Sequence, residues 1–109
     1  MGGRTEAVKA GLAMETEIRN VENGGKGRYV LAMPDGEEAY LTYVRSGPAH
    51  ISVDYSFVPP SARGKGVGAR LVAHAVENAR SSGTRITPVC GYVAAEFRRH
   101  KEWTDVLAP

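Results

Sequence analysis

Six consecutive residues, Arg63-Gly64-Lys65-Gly66-Val67-Gly68, combine three glycines and two cations immediately ahead of an apolar-periodic stretch. That composition suits anion binding. The first-turn amides of a helix point outward unsatisfied, and the helix dipole favours negative charge beyond them. Glycines let the backbone approach a phosphate closely, while Arg63 and Lys65 add charge. Further along, Cys90 and Tyr92 stand where a second helix is expected to begin. A helix N-terminus lowers a thiol's pKa, which would let Cys90 act as a nucleophile or exchange a disulfide. A lone cysteine is also commonly a small buried hydrophobe, and Tyr92 could equally be a packing aromatic. The residues alone leave both alternatives open.

These groups need a framework, and the chain punctuates one clearly. Residues 1–14 have a weak apolar pattern and read as a flexible leader, so the folded domain is expected over 15–109. Thr16 to Val21 is expected as a first strand, Asn23 to Gly27 as a turn, and Arg28 to Met33 as a second strand. Pro34-Asp35-Gly36 turns the chain into a third strand, Ala39 to Val44. Ile51, Val53, Tyr55 and Phe57 alternate with Ser52, Asp54 and Ser56, which predicts a strand with one apolar face. Pro59-Pro60 stops it.

Helical periodicity then takes over to about Ser82. Val67, Leu71, Val72, Ala75, Val76 and Ala79 share one half of the wheel, and Gly83 provides a left-handed stop. Arg85 to Val89 reads as a fifth strand broken by Pro88, and Tyr92 to Lys101 as a short helix. The order predicts an α+β fold with a mixed α/β sheet: an antiparallel meander, a parallel β-α-β unit and a C-terminal helix.

Bulk composition narrows the functional classes. With 109 residues, 42% hydrophobic and 24% charged, the chain is one small folded domain. A formal charge of +2 does not argue for nucleic acid, and no apolar run approaches a membrane span. No signal-peptide pattern opens the chain, so a cytoplasmic location is expected. The single cysteine excludes an internal disulfide and any cysteine-based metal cluster. His50 is expected to be solvated, His74 to lie at the edge of the apolar arc, and Asp54 to be an exposed strand residue. No metal site is expected among them.

Familiar glycine motifs fit the loop poorly. A P-loop needs Ser or Thr after Gly-Lys, whereas Gly66 follows Lys65. The dinucleotide fingerprint spaces its glycines differently and opens on a parallel sheet. The run Arg63-x-x-Gly66-x-Gly68 instead resembles the signature of the GNAT superfamily of N-acetyltransferases: Gln or Arg, two residues, Gly, one residue, then Gly or Ala. Pro88-Val89-Cys90-Gly91-Tyr92-Val93, with Phe97 and Trp103 behind it, is similar to a segment of the small Yjdj-type N-acetyltransferase domains. The two segments span roughly half of the chain.

The resemblance implies a truncated GNAT-like fold that binds acetyl-CoA, or coenzyme A, through the loop Arg63, Gly64, Lys65, Gly66, Val67 and Gly68. It implies that backbone N–H near Phe57 and Val58 polarises the thioester. Tyr92 then becomes the candidate acid toward the departing sulfur, and Cys90 a candidate acetyl acceptor or mixed-disulfide partner. Lys101 or Arg99 is expected to reach the adenosine phosphate. The expected partner is a small-molecule or peptide amine, with neither nucleic acid nor membrane, and the chain is a monomer or a homodimer. A non-catalytic acyl-CoA sensor is the alternative, because the acceptor half of such domains is reduced.

Overall fold

A computed structural model describes residues 17–109, so the expected leader and Thr16 lie outside the described residues. The elements run β1 (Ile18–Asn23), β2 (Lys26–Ala32), β3 (Glu38–Arg45), β4 (His50–Phe57), a 3-10 turn (Pro60–Ala62), α1 (Val67–Ser82), β5 (Arg85–Pro88), α2 (Gly91–Arg99) and a 3-10 helix (Lys101–Val106). The strands form one sheet in the order β1-β2-β3-β4-β5. The first four are antiparallel neighbours and β5 joins β4 in parallel, which is the predicted mixed sheet. No helix among the described residues is long and apolar enough to cross a membrane.

The β1–β2 turn is tighter than the glycine content suggested. Asn23 pairs with Lys26, so only Gly24 and Gly25 turn the chain, at φ 64° and 82°. Two consecutive left-handed residues match the twist of a hairpin and suit glycine best. Gly27 belongs to β2 and serves packing instead. A Cβ there would sit 2.4 Å from Tyr43 Cζ. The bare backbone lets the Tyr43 ring cross β2 and reach β1, where its hydroxyl donates to Asn20 Oδ1 at 2.7 Å. The Tyr43 hydroxyl also lies 3.0 Å from Glu22 Oε1.

One core fills the side of the sheet that carries both helices. Tyr29, Leu31, Leu41, Tyr43, Ile51 and Val53 meet Leu71, Val72, Val76 and Val93 there, with Phe97 and Trp103 closing one end. The predicted apolar arc of α1 is buried throughout. Gly83 ends that helix at φ 70°, with its N–H on Ala79 O. Beyond α2 the chain does not extend the helix. It turns at His100, whose ring stacks on Trp103 at 4.0 Å, and winds through the 3-10 helix. Arg80 anchors that segment by a two-pronged bond to Asp105, at 2.7 and 2.8 Å.

The fourth strand departs from the predicted alternation. Opposite β3, Tyr43 pairs with Val53 and Thr42 with Tyr55, so Asp54 is an extra residue in a bulge. A bulge shifts the side-chain phase by one. Ile51 and Val53 face the core as expected, but Tyr55 is 51% exposed and Phe57 only half-buried. Both join Tyr40 on the helix-free face, with ring centroids 6.3 and 5.5 Å from it. Ser56, predicted to face outward, turns to the helix side instead. His50 also differs from expectation. It is bridged between Ser46 Oγ at 3.0 Å and Thr87 Oγ1 at 2.7 Å rather than solvated.

Candidate functional site

Strands β4 and β5 pair only as far as Val53 and Pro88. Proline supplies no amide, and the next two amides, Val89 N–H and Cys90 N–H, both donate to the carbonyl of Val53, at 2.9 and 3.0 Å. The ladder ends at that shared oxygen and the strands diverge. Residues 54–57 of β4 then have no strand partner on the β5 side. A strand edge in that condition can pair with an extended ligand.

The opening leads into a cleft of about 510 Å³ lined by Tyr55, Ser56, Phe57 and Val58, the loop residues Arg63, Gly64 and Gly66, and Tyr92. Arg63 folds back, its Nε donating to Val58 O at 2.9 Å, which ties the loop to the end of β4. Gly64 and Gly66 both adopt left-handed φ, 79° and 76°, and a Cβ at either would meet open space. The requirement for glycine at these two positions is therefore the backbone conformation itself. Gly66 caps α1, and the first intrahelical bond runs from Arg70 N to Gly66 O at 3.0 Å. The amides of Val67, Gly68 and Ala69 precede that bond and carry the positive end of the helix dipole. Val67 itself turns its side chain into the core.

Gly68 answers to a different constraint. Its Cβ would lie 2.9 Å from Tyr92 Oη and 3.1 Å from Tyr92 Cε2, so the absent side chain seats the Tyr92 ring where α1 and α2 begin. Burial, and then the charge of Glu96, push the Tyr92 phenol above its ordinary pKa. A neutral phenol results, able to donate at neutral pH. Lys65 lies outside this cleft. It borders a smaller hollow beside it with Met33, Pro34 and Arg70. The β2–β3 turn is fastened to the same region by Ser61 Oγ donating to Asp35 Oδ2 at 2.9 Å.

Cys90 caps α2 and is half-buried against the core. Its Sγ lies 3.4 Å from Ser56 Oγ, the hydroxyl that the β4 bulge turned inward. Burial raises the thiol's pKa, but the Ser56 hydroxyl and the amides of Val93 and Tyr92 outweigh it, leaving the pKa below that of an ordinary thiol. Cys90 stands behind the cleft wall rather than on it, with Ser56 between. Ser56 was not singled out in the sequence, because its role depends on a bulge that no local pattern announces. Lys101 lines a separate hollow with Pro88, Phe97 and Arg98, and neither it nor Arg99 borders the cleft. His74 packs edge-on against Tyr29 at 5.7 Å, and burial lowers its pKa.

The residues present fit an elongated ligand with a phosphate end: an unpaired strand edge, then a glycine loop with outward amides at a helix N-terminus. Comparison with known proteins gives the family and the fold. Residues 28–106 match the GCN5-related N-acetyl-transferase family. The solution structure of a GCN5-like protein from Staphylococcus aureus, classed among the N-acetyltransferases, is 24% identical, with a TM-score of 0.66 over 86% of this chain and 89% of that one. Nourseothricin acetyltransferase is 21% identical, with a TM-score of 0.52 over 88% of this chain and 79% of its own. At such identities the likeness is one of fold. No curated protein gives a significant match. With 28–106 matched and the fold shared, the chain belongs to the GCN5-related N-acetyltransferase family.

Proposed function

We propose that the protein binds acetyl-coenzyme A in this cleft, in the cytoplasm, and transfers the acetyl group to an amine, as a small domain of the Yjdj type. The observation that carries the reading is the continuity of the β4 edge with the glycine loop, which offers strand pairing at one end and phosphate amides at the other. Acetyl-coenzyme A would supply an activated thioester. The amides of Val67, Gly68 and Ala69 would hold its pyrophosphate, with Arg63 adding charge at the loop. The backbone at Phe57 and Val58 would donate to the thioester oxygen as negative charge develops there. The neutral amine nitrogen bonds to the acetyl carbon as the C–S bond breaks, and Tyr92 gives its proton to the departing sulfur. The proton lost from the acylated nitrogen returns through water to the Tyr92 phenolate.

Calorimetry with coenzyme A and ATP tests the binding claim. Coenzyme A should bind and ATP should not compete; preference for ATP would overturn it. Thiol release from acetyl-coenzyme A with added amines tests transfer. The second reading, a sensor that binds acyl-coenzyme A without turnover, draws on one observation: among the described residues, no carboxylate or imidazole lines the cleft. A sensor would bind coenzyme A tightly and release thiol no faster with amines than without.

A further inference from the structure

The helix-free face of the sheet carries a second groove, of about 500 Å³, which nothing above has used. Its position follows from register. Tyr29, Leu31, Leu41 and Tyr43 face the core, so their neighbours Arg28, Thr42 and Val44 project to the other side. Across the strands, Val21, Arg28 and Thr42 form one row, and Asn23, Lys26 and Val44 the next. The bulged residue Asp54 closes the groove on the β4 side.

The lining is polarised. Lys26 and Arg28 sit together on β2, and among the described residues neither has a carboxylate partner; Arg28 rests over the Tyr40 ring at 5.3 Å. Asp54 on β4 has one oxygen committed, Oδ1 accepting from Thr42 Oγ1 at 2.7 Å. Val44 on β3, 40% exposed, lies between the two ends, and Val21 on β1, 45% exposed, flanks the basic end. The groove and the cleft share no lining residue but are neighbours along β4. Asp54 is followed directly by Tyr55 and Ser56, which line the cleft, and its charge is felt at the Cys90 thiol.

We propose that this groove, lined by Val21, Lys26, Arg28, Thr42, Val44 and Asp54, holds the acetyl acceptor, and that the acceptor is a small primary amine bearing an anionic group. Asp54 takes the ammonium end, beside the divergence of β4 and β5, and the nitrogen attacks after one proton has passed from it to solvent. Lys26 and Arg28 take the carboxylate or phosphate, and Val44 covers the carbons between. Strands β2 and β4 are about 10 Å apart, and the long basic side chains shorten that gap. A linker of roughly three to five carbons fits. The proposal rests on the transfer reading above, and its test keeps the two apart.

The probes are γ-aminobutyrate and n-butylamine, which share the amine and carbon chain and differ in the carboxylate. Amide shifts in NMR titrations should locate γ-aminobutyrate at Val21, Lys26, Val44 and Asp54. Its affinity and its kcat/KM in the thiol-release assay should exceed those of n-butylamine by about tenfold or more. In the Lys26→Gln, Arg28→Gln double variant that ratio should fall toward one, and Asp54→Asn should weaken both amines. Equal use of the two amines, or shifts confined to another surface, overturns the groove while leaving transfer intact. A dimer that dissociates on Val21→Glu or Val44→Glu gives the face to a second copy and also overturns it. Coenzyme A binding without thiol release for any amine refutes transfer itself, and the acceptor assignment with it.

Discussion

Replacing Gly68 by alanine separates stability from catalysis at this site. The new methyl would stand 2.9 Å from Tyr92 Oη and 3.1 Å from its Cε2 and Cζ. An unstrained contact is about 3.5 Å, so the hydroxyl must retreat by roughly 0.6 Å. Tyr92 is 41% exposed and can swing outward, so the clash is relieved by the side chain and not by the helix. Alanine is about 1 kcal/mol better than glycine inside a helix, which offsets part of the lost ring contact. Stability should therefore change by less than about 1 kcal/mol in urea denaturation. Catalysis should respond more, because a misplacement of 1 Å costs on the order of a hundredfold. A retreat of this size predicts a fall in kcat of about tenfold, or about 1.4 kcal/mol. Tyr92→Phe removes the proton altogether and should cost on the order of a hundredfold or more. Adding Gly68→Ala to Tyr92→Phe should then cost little further, since no hydroxyl remains to displace. Thiol release under saturating acetyl-coenzyme A measures all three variants. A Gly68→Ala protein with undiminished kcat, alongside a Tyr92→Phe protein that is impaired, would refute the seating role. An unchanged Tyr92→Phe protein would remove Tyr92 from the chemistry.

Gly27→Ala should be the more damaging change to the fold, since its Cβ would enter the ring of a fully buried Tyr43 at 2.4 Å. Overpacking of this kind costs about 1–3 kcal/mol, read as a lower urea midpoint. Ser56→Ala should raise the midpoint of the pH profile for Cys90 alkylation by iodoacetamide, because it deletes the hydroxyl that lowers the thiol's pKa. The unsubstituted protein should titrate below an ordinary thiol, and identical profiles would show that the Ser56 contact has no effect. The Arg80–Asp105 pair holds Asp105 below the usual carboxylate range. Its contribution is present above the ordinary aspartate pKa and is lost as pH falls through the depressed one. Arg80→Gln should therefore shift the thermal midpoint at neutral pH but converge with the parent chain in strong acid, and high salt should shrink the difference.

Much of the architecture was readable because it rests on local patterns. The arc of α1 needs only a helical period, and Gly66 and Gly83 bracket it in left-handed conformations that disfavour other residues. The glycine loop was likewise visible as a run of types whose backbone can face an anion. Other features arise from partners distant in the chain. Asp54 becomes a bulge only against β3, and that one-residue shift sends Tyr55 to the open face and Ser56 to Cys90. Gly27 and Gly68 look like turn or loop glycines until Tyr43 and Tyr92 are seen lying across them. Glu96, an ordinary helical glutamate by sequence, is 2% exposed with no hydrogen-bond partner for Oε1 among the described residues, and the Arg99 guanidinium and the His100 ring each stand 3.6 Å from its carboxylate.

Sequence by itself therefore determined the strand and helix order and the glycine loop ahead of α1, since periodicity and backbone freedom are properties of neighbouring residues. The tertiary structure decided which side of β4 each residue faces, where β4 and β5 part, and which side chain stands over the loop. Those outcomes depend on hydrogen-bond register and on volume shared between segments far apart in the chain, and no single segment encodes either one.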